Sequence, residues 1–289
     1  MQKRKFFKRI PVFNIVNGLI ILILCFLTIY PLWYVIVCSF SSGSALLQGK
    51  VSFIPVEATL ENYKVLLGYK MIPRAYLNTL IYVTAGTAVS MALSVFCAFP
   101  LSRHEFRGRG VGAFYVAFTM LFNGGIIPTY IVVQGVGLVD TPFALFLPVA
   151  LSPFNVIILR TFFQEVPEGI IEASKIDGCG FFRILWNIVM PYSLIGMITV
   201  LLFYLVAHWN NFMPGLLYVM RNKDLLPMQN ILRNIVIQEQ SVSEAMSNTN
   251  VARGVRYATI VITVLPILAV YPFMQRYFSK GMMIGGLKG

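Results

Sequence analysis

The stretch Val166-Pro167-Glu168-Gly169-Ile170-Ile171-Glu172-Ala173-Ser174-Lys175-Ile176-Asp177-Gly178 has the most informative spacing in the chain, and its chemistry is that of contact. Pro167 suits a first helical position, and Glu168 sits where the positive end of a helix dipole favours an anion. Gly178 can take the left-handed conformation that closes a short helix. Ala173 and Ser174 are small, so one side of such a helix can approach another surface closely. A second amphipathic segment follows, with Phe181, Phe182, Ile184, Leu185, Ile188 and Val189, before Pro191 opens an apolar run. By pattern alone this is an interfacial helix-turn-helix.

Catalytic groups are scarce. His208 is the one titratable candidate inside an apolar segment, and no carboxylate shares any such segment. An intramembrane hydrolase needs a polar catalytic group with a partner, and no G-x-S-x-G occurs. The phosphate-binding G-x-x-x-x-G-K-[ST] is also missing: Gly43 to Lys50 has the wrong spacing and ends in Val51. Cys25, Cys38, Cys97 and Cys179 form no CxxC and no Cys/His cluster, so neither a disulfide framework nor a metal site is indicated. Binding groups are easier to find. Trp209 offers an indole able to cover an apolar sugar face, and Asn210 and Asn211 offer donors and acceptors. The alternative is an interfacial Trp with solvated neighbours. Gly124 and Gly125 interrupt another apolar run, with Pro128 one turn later; the result is either a break that exposes carbonyls to a cavity or a kink in a packed helix.

The elements that must position these residues are membrane helices. Of 289 residues, 57% are hydrophobic and only 12% charged, against about 25% charged in ordinary globular chains. Six charge-free windows, approximately Ile15–Phe40, Leu77–Leu101, Gly112–Gln134, Thr141–Leu159, Tyr192–Tyr218 and Ala258–Gln275, hold none of the 23 Lys and Arg or 11 Asp and Glu. A helix of about 20 residues crosses the hydrocarbon layer, and each mid-bilayer charge costs about 2.5–3.5 kcal/mol. The roughly ten-residue alternating segments of a β-barrel are absent. The expected fold is therefore all-α and polytopic, a single transmembrane domain over 1–289 with six crossings. The first window is longer than a signal-peptide core and no cleavage site follows it, so it reads as a retained helix.

Lys and Arg crowd the N-terminal tail (Lys3, Arg4, Lys5, Lys8, Arg9), the 102–111 loop, the 160–191 loop and the C-terminal tail, which places both termini in the cytoplasm. The net charge of +12 is accounted for in this way and by attraction to anionic lipid. No basic stripe with interleaved aromatics suggests nucleic acid. Two long outer segments, about 41–76 and 219–257, are either interfacial helices with solvated linkers or a docking surface for an extracellular protein.

Glu172-Ala173-Ser174, Asp177-Gly178, Ile188 and Pro191 resemble the EAA loop, about residues 165–191 here, of permease subunits in binding-protein-dependent (type I) ABC importers. The match departs at Ser174, where Ala is usual, and at Met190, where Leu is usual. The ending Tyr271-Pro272-Phe273-Met274-Gln275-Arg276-Tyr277-Phe278, with Lys280-Gly281 and the terminal Gly-Gly-Leu-Lys-Gly, looks like the carbohydrate-uptake branch related to maltose permeases. Gly124-Gly125-Ile126-Ile127-Pro128-Thr129-Tyr130 and His208-Trp209-Asn210 look like a subgroup handling complex oligosaccharides.

The resemblance implies a multi-pass protein of the bacterial cytoplasmic (inner) membrane, a transport subunit and not an enzyme. It implies a second permease, an ATPase dimer that binds the ATP and Mg, an extracytoplasmic solute-binding protein and an oligosaccharide substrate. Glu172, Ala173, Ser174, Asp177 and Gly178 would couple to the ATPase; Trp209, Asn210, Asn211, Gly124 and Gly125 would lie along the substrate route. The competing class, an ion-coupled secondary transporter or channel, commonly places an ionisable group within the membrane. No span here carries a carboxylate.

Overall fold

The computed structural model describes residues 12–237 and 249–285. The basic N-terminal tail, most of the polar run that begins at Gln240, and residues 286–289 lie outside the described residues. Among those described, every regular element is helical. In chain order these are α1 (Val12–Ser39), α2 (Gly43–Leu47), α3 (Glu61–Gly68), α4 (Met71–Ser102), α5 (Arg109–Leu121), α6 (Ile126–Gly135), α7 (Pro153–Gln164), α8 (Glu168–Ile176), α9 (Phe181–Ile184), α10 (Met190–Tyr192), α11 (Leu194–Asn210), α12 (Met213–Tyr218), α13 (Met228–Ile237) and α14 (Thr249–Gly285).

Phe13–Ser39, Met71–Ser102 and Arg253–Val270 are each long and apolar enough to cross a bilayer alone. The other three charge-free windows fall on bent pairs: α5 with α6 at 114°, the turns Pro142–Val149 with α7 at 56°, and Phe181–Tyr192 with α11 at 85°. Taken as one pass each, they complete six. The bends have local causes. Gly125 has φ +87° and leaves the helical path, while Asn123 accepts its N–H at 3.0 Å. Pro142, Pro148 and Pro153 deny backbone donors to the fourth window, which consequently starts as 3-10 turns and becomes α-helical only from Pro153. In the fifth, a π turn at Leu185–Val189 and Ser193 outside helical geometry separate α9 and α10 from α11. That window then breaks again between α11 and α12.

The chain divides into two compact units. The first comprises the described residues up to Gly68 and those in Ile235–Ile262. Here α1 is exposed from Phe13 to Ile29, and its C-terminal end packs Val37 and Cys38 against Ala45 and Val51. Asn62 ties this end down by donating from Nδ2 to the carbonyls of Ser39 and Ser41 at 3.0 and 2.9 Å.

The second unit spans Tyr69–Asn234 and continues from Thr263. Its core joins Val95, Ala98 and Phe99 of α4, Val156, Leu159 and Phe163 of α7, and Val200 and Tyr204 of α11. The same cluster takes in Ile171 of α8 and Leu185 and Val189 of the π turn, so the EAA stretch is anchored to the core of the bundle. Two arginines tie the ends of α4 and α7 together. Arg160 donates from Nε to the Leu101 carbonyl at 3.0 Å, and Arg103 donates to the Phe163 carbonyl. Carbonyls near a helix C-terminus lack intrahelical donors, and a cation there also meets the negative end of the dipole.

At the other end of α4 the backbone of residues 224–228 is stitched to the helix. Asn78 donates to the Asp224 carbonyl at 2.6 Å, Tyr82 to Leu225 at 3.1 Å, and Thr79 accepts the Met228 N–H at 2.7 Å. Asp140, itself at φ +58°, accepts the N–H groups of Met220, Arg221 and Asn222 on Oδ1 at 2.8, 2.9 and 3.4 Å. The Arg221 N–H holds its carboxyl below the usual 3.8; burial opposes this, and the Met220 and Asn222 N–H groups add smaller downward contributions. A depressed carboxyl stabilises the fold above its ordinary value, and that contribution is lost as pH falls through the lowered one. In Asp140→Ala the amides of residues 220–222 should exchange hydrogen faster at neutral pH, read by mass spectrometry. Unchanged protection there would remove the clamp from the description.

Candidate functional site: an exposed helix and a cavity beside the fifth crossing

In α8, Ile171 turns inward and is 5% exposed, and Val166 just before the helix is also buried. The opposite side is bare. Glu172, Ala173 and Asp177 are exposed, Ser174 is half-buried, and Ile176 is 87% exposed. Five residues on from Ile171, Ile176 lies about 140° around the helix, which takes it off the packed face. A nearly bare isoleucine thus stands on the same short helix as the exposed Ala173.

Gly178 ends this helix at φ +79°. Its N–H reaches the Lys175 carbonyl at 3.0 Å, and the Cys179 N–H reaches Ser174 at 2.9 Å, the paired closing bonds of a left-handed cap. Pro167 is the cap residue and Glu168 begins the helix. Glu172, Ala173, Ser174, Asp177 and Gly178 are thus brought together on one short helix and its cap. Ser174 contributes least to the open face, because its hydroxyl donates to the Ile170 carbonyl at 2.7 Å. Ile176 was not singled out in the sequence, where an isoleucine in an amphipathic segment reads as core; its spacing from Ile171 was the available signal.

The residues expected along a binding route are scattered. Trp209 is 3% exposed, its Nε1 donates to the Thr263 carbonyl at 3.2 Å, and Tyr76 meets its ring edge-on. Its indole is a packing element: a buried N–H needs a partner and finds one in the neighbouring helix. Asn210 is exposed and donates to the Val206 carbonyl at 3.0 Å, while Gly124 and Gly125 sit exposed in the α5–α6 break. Only Asn211 reaches the cavity described next.

That cavity, of about 270 Å³, lies between the fourth-window turn and α11. Ser152, Asn155, Tyr204, His208 and Asn211 supply its polar lining, and Val149, Phe154 and Phe203 its apolar walls. Tyr204 is held from two sides: its hydroxyl meets Ser94 Oγ at 2.6 Å and accepts the Ser152 N–H at 3.0 Å. His208 Nε2 meets Ser90 Oγ at 3.0 Å, and its ring stacks on Tyr204 with centroids 6.3 Å apart. Ser90 and Ser94 are one turn apart on α4, so a single helix face orients both aromatic groups. No carboxylate lines the cavity. The one hydroxyl–imidazole contact at the cavity, Ser90 with His208, has its hydroxyl wholly buried in α4 and outside the lining.

Tyr204→Phe should lower the thermal unfolding temperature of the solubilised protein, since it orphans the Ser152 N–H and Ser94 at about 1–3 kcal/mol per buried group. An unchanged unfolding temperature would mean that water replaces the hydroxyl.

Comparison with known proteins points the same way. Residues 71–284 match the family described as "Binding-protein-dependent transport system inner membrane component". Protein LplC of Bacillus subtilis (strain 168) is 39% identical over 282 residues, covering 96% of this chain and 95% of LplC. The polygalacturonan/rhamnogalacturonan transport system permease protein YtcP of the same organism is 38% identical over 274 residues, covering 93% of this chain and 96% of YtcP. A chain from the crystal structure of a bacterial ABC transporter involved in the import of the acidic polysaccharide alginate superposes with a TM-score of 0.87 at 31% identity, over 92% of this chain and 96% of that one.

Proposed function

From the premise that this chain belongs to the family of binding-protein-dependent transport system inner membrane components, we propose that it is the permease subunit that carries oligosaccharides through an ATP-driven importer of the cytoplasmic membrane. It is a transport subunit and not an enzyme. The observation that carries the proposal is α8: a capped helix, rooted in the bundle core through Ile171, whose face of Ala173, Ile176 and Asp177 is exposed among the described residues. In our reading this face docks on a cytoplasmic ATPase subunit that binds ATP and Mg, both chain termini lie on that side, and a second permease completes the pore. Residues 41–76 and 219–257 then face outward, toward a solute-binding protein.

Closure of the ATPase pair pushes on α8, and the shared core passes the displacement to α4, α7 and α11. Two packings of the bundle, open inward or outward, are selected in this way. The 270 Å³ cavity supplies the substrate contacts, with Asn155, Tyr204, His208 and Asn211 replacing Trp209 as the groups that meet sugar hydroxyls. A lining without carboxylates tolerates an anionic sugar, and two of the similar proteins, named for polygalacturonan/rhamnogalacturonan and for alginate at 38% and 31% identity, support uronate-containing oligosaccharides as the class.

Mild-detergent purification tests the reading: a nucleotide-binding protein should co-elute. The chain alone in liposomes should move nothing. Solute accumulation by the isolated chain, powered only by a proton or sodium gradient, would overturn it.

A further inference from the structure

His104 and Glu105, two and three residues beyond the end of α4, grip α8 near both its ends. His104 Nε2 lies 3.1 Å from Glu168, in the first turn of α8, and Lys175, in its last turn, pairs with Glu105. Glu168 and Lys175 are two turns apart on one face of the helix, about 10 Å along its axis. His104 is itself oriented, because its Nδ1 faces Arg109 Nη1 at 2.6 Å. With hydrogen on Nε2 the imidazole accepts from Arg109 and donates to Glu168, so one ring satisfies both neighbours. Lys175 is steadied from a second direction, its ammonium lying 5.6 Å from the centre of the Phe181 ring.

We propose that His104 and Glu105 form a two-point latch that makes α4 move as one body with α8, so that α4 carries the coupling stroke into the substrate cavity. Exposed ion pairs add little to stability, so the consequence of this pair of contacts is geometric. Within α8 only Ile171 is buried, with Val166 and Cys179 packing just outside its ends; contacts at residues 168 and 175 add polar ties on the helix itself. The far side of the connection is equally specific. Ser94 and Ser90, which touch Tyr204 and His208, lie on the same unbroken helix, about 12 and 18 Å from its end at Ser102. A tilt of α8 therefore reaches the two aromatic groups that line the cavity through the short turn at Arg103–Glu105 and then along one helix.

The inference rests on α8 being the ATPase-facing helix, and charge exchange in the assembled importer tests it separately from that reading. Glu105→Lys and Lys175→Glu are made singly and together, with His104→Gln as a milder perturbation of the other contact. Each single variant should still co-purify with the ATPase and keep basal ATP hydrolysis, while uptake falls at least about fivefold, the lower range of an energetic coupling between sites. The double exchange should restore uptake to within about twofold of the parent, because it rebuilds the pair with reversed polarity. Undiminished uptake in all the single variants, or an exchange that rescues nothing although the protein assembles, would overturn the latch. Loss of any ATPase from the unaltered protein would instead sink the docking reading itself.

Discussion

Gly178→Trp abolishes uptake while the protein still inserts and reaches normal levels in the membrane: that is the first expected result. The position is strained for any other residue, since φ is +79°, and an L side chain in left-handed geometry costs about 1–2 kcal/mol. Space is not the obstacle, because a Cβ built there meets nothing within 4 Å. Insertion and core packing should therefore survive. What fails is the end of α8: relief of the strain opens the bonds from Gly178 to Lys175 and from Cys179 to Ser174, and the helix frays beside the face that must transmit force. A bulky ring on that edge also meets the partner before Ala173 and Ile176 do. Membrane-fraction yield and substrate uptake, measured together, check this. Normal yield with normal uptake would remove Gly178 from the coupling element.

The second large effect is at Ile176. Ile176→Asp should separate the ATPase from the permease, leaving the permease folded. At 87% exposure the side chain contributes almost nothing to the fold. If docking buries it, replacement forfeits about 1.5–3 kcal/mol of apolar burial and adds the cost of desolvating a carboxylate. Together these weaken association on the order of a hundredfold or more. ATPase recovered per permease in detergent is the readout, and undiminished recovery would place the docking face elsewhere. Site-specific crosslinking gives an independent check: a cysteine at Ile176 should couple to the ATPase more readily than one at Ser174, whose hydroxyl turns back to the Ile170 carbonyl.

Helix geometry separates three residues that stand side by side in the sequence. His208-Trp209-Asn210 looks like one binding triplet, yet successive residues of a helix point about 100° apart and cannot share a face. His208 turns toward Ser90 and the cavity, Trp209 toward Thr263, and Asn210 back to Val206. Tyr204, one turn before His208, is the residue that shares its face, and its hydroxyl partners come from Ser94 and from Ser152, far away in the chain.

Segregation of charge showed the membrane character of this protein and marked six candidate crossings, because the bilayer penalises each misplaced charge one residue at a time. The short EAA helix was legible for a similar reason: a proline before it, an acid in its first turn and a glycine after it are local signals of local geometry. Tertiary structure alone decided which flank of that helix stays bare, where the third, fourth and fifth crossings bend, and which polar side chains meet. Those outcomes depend on helices far apart in the chain, whose mutual rotation is chosen by packing. In a segment apolar on every side, hydropathy carries no information about which face a neighbour will cover.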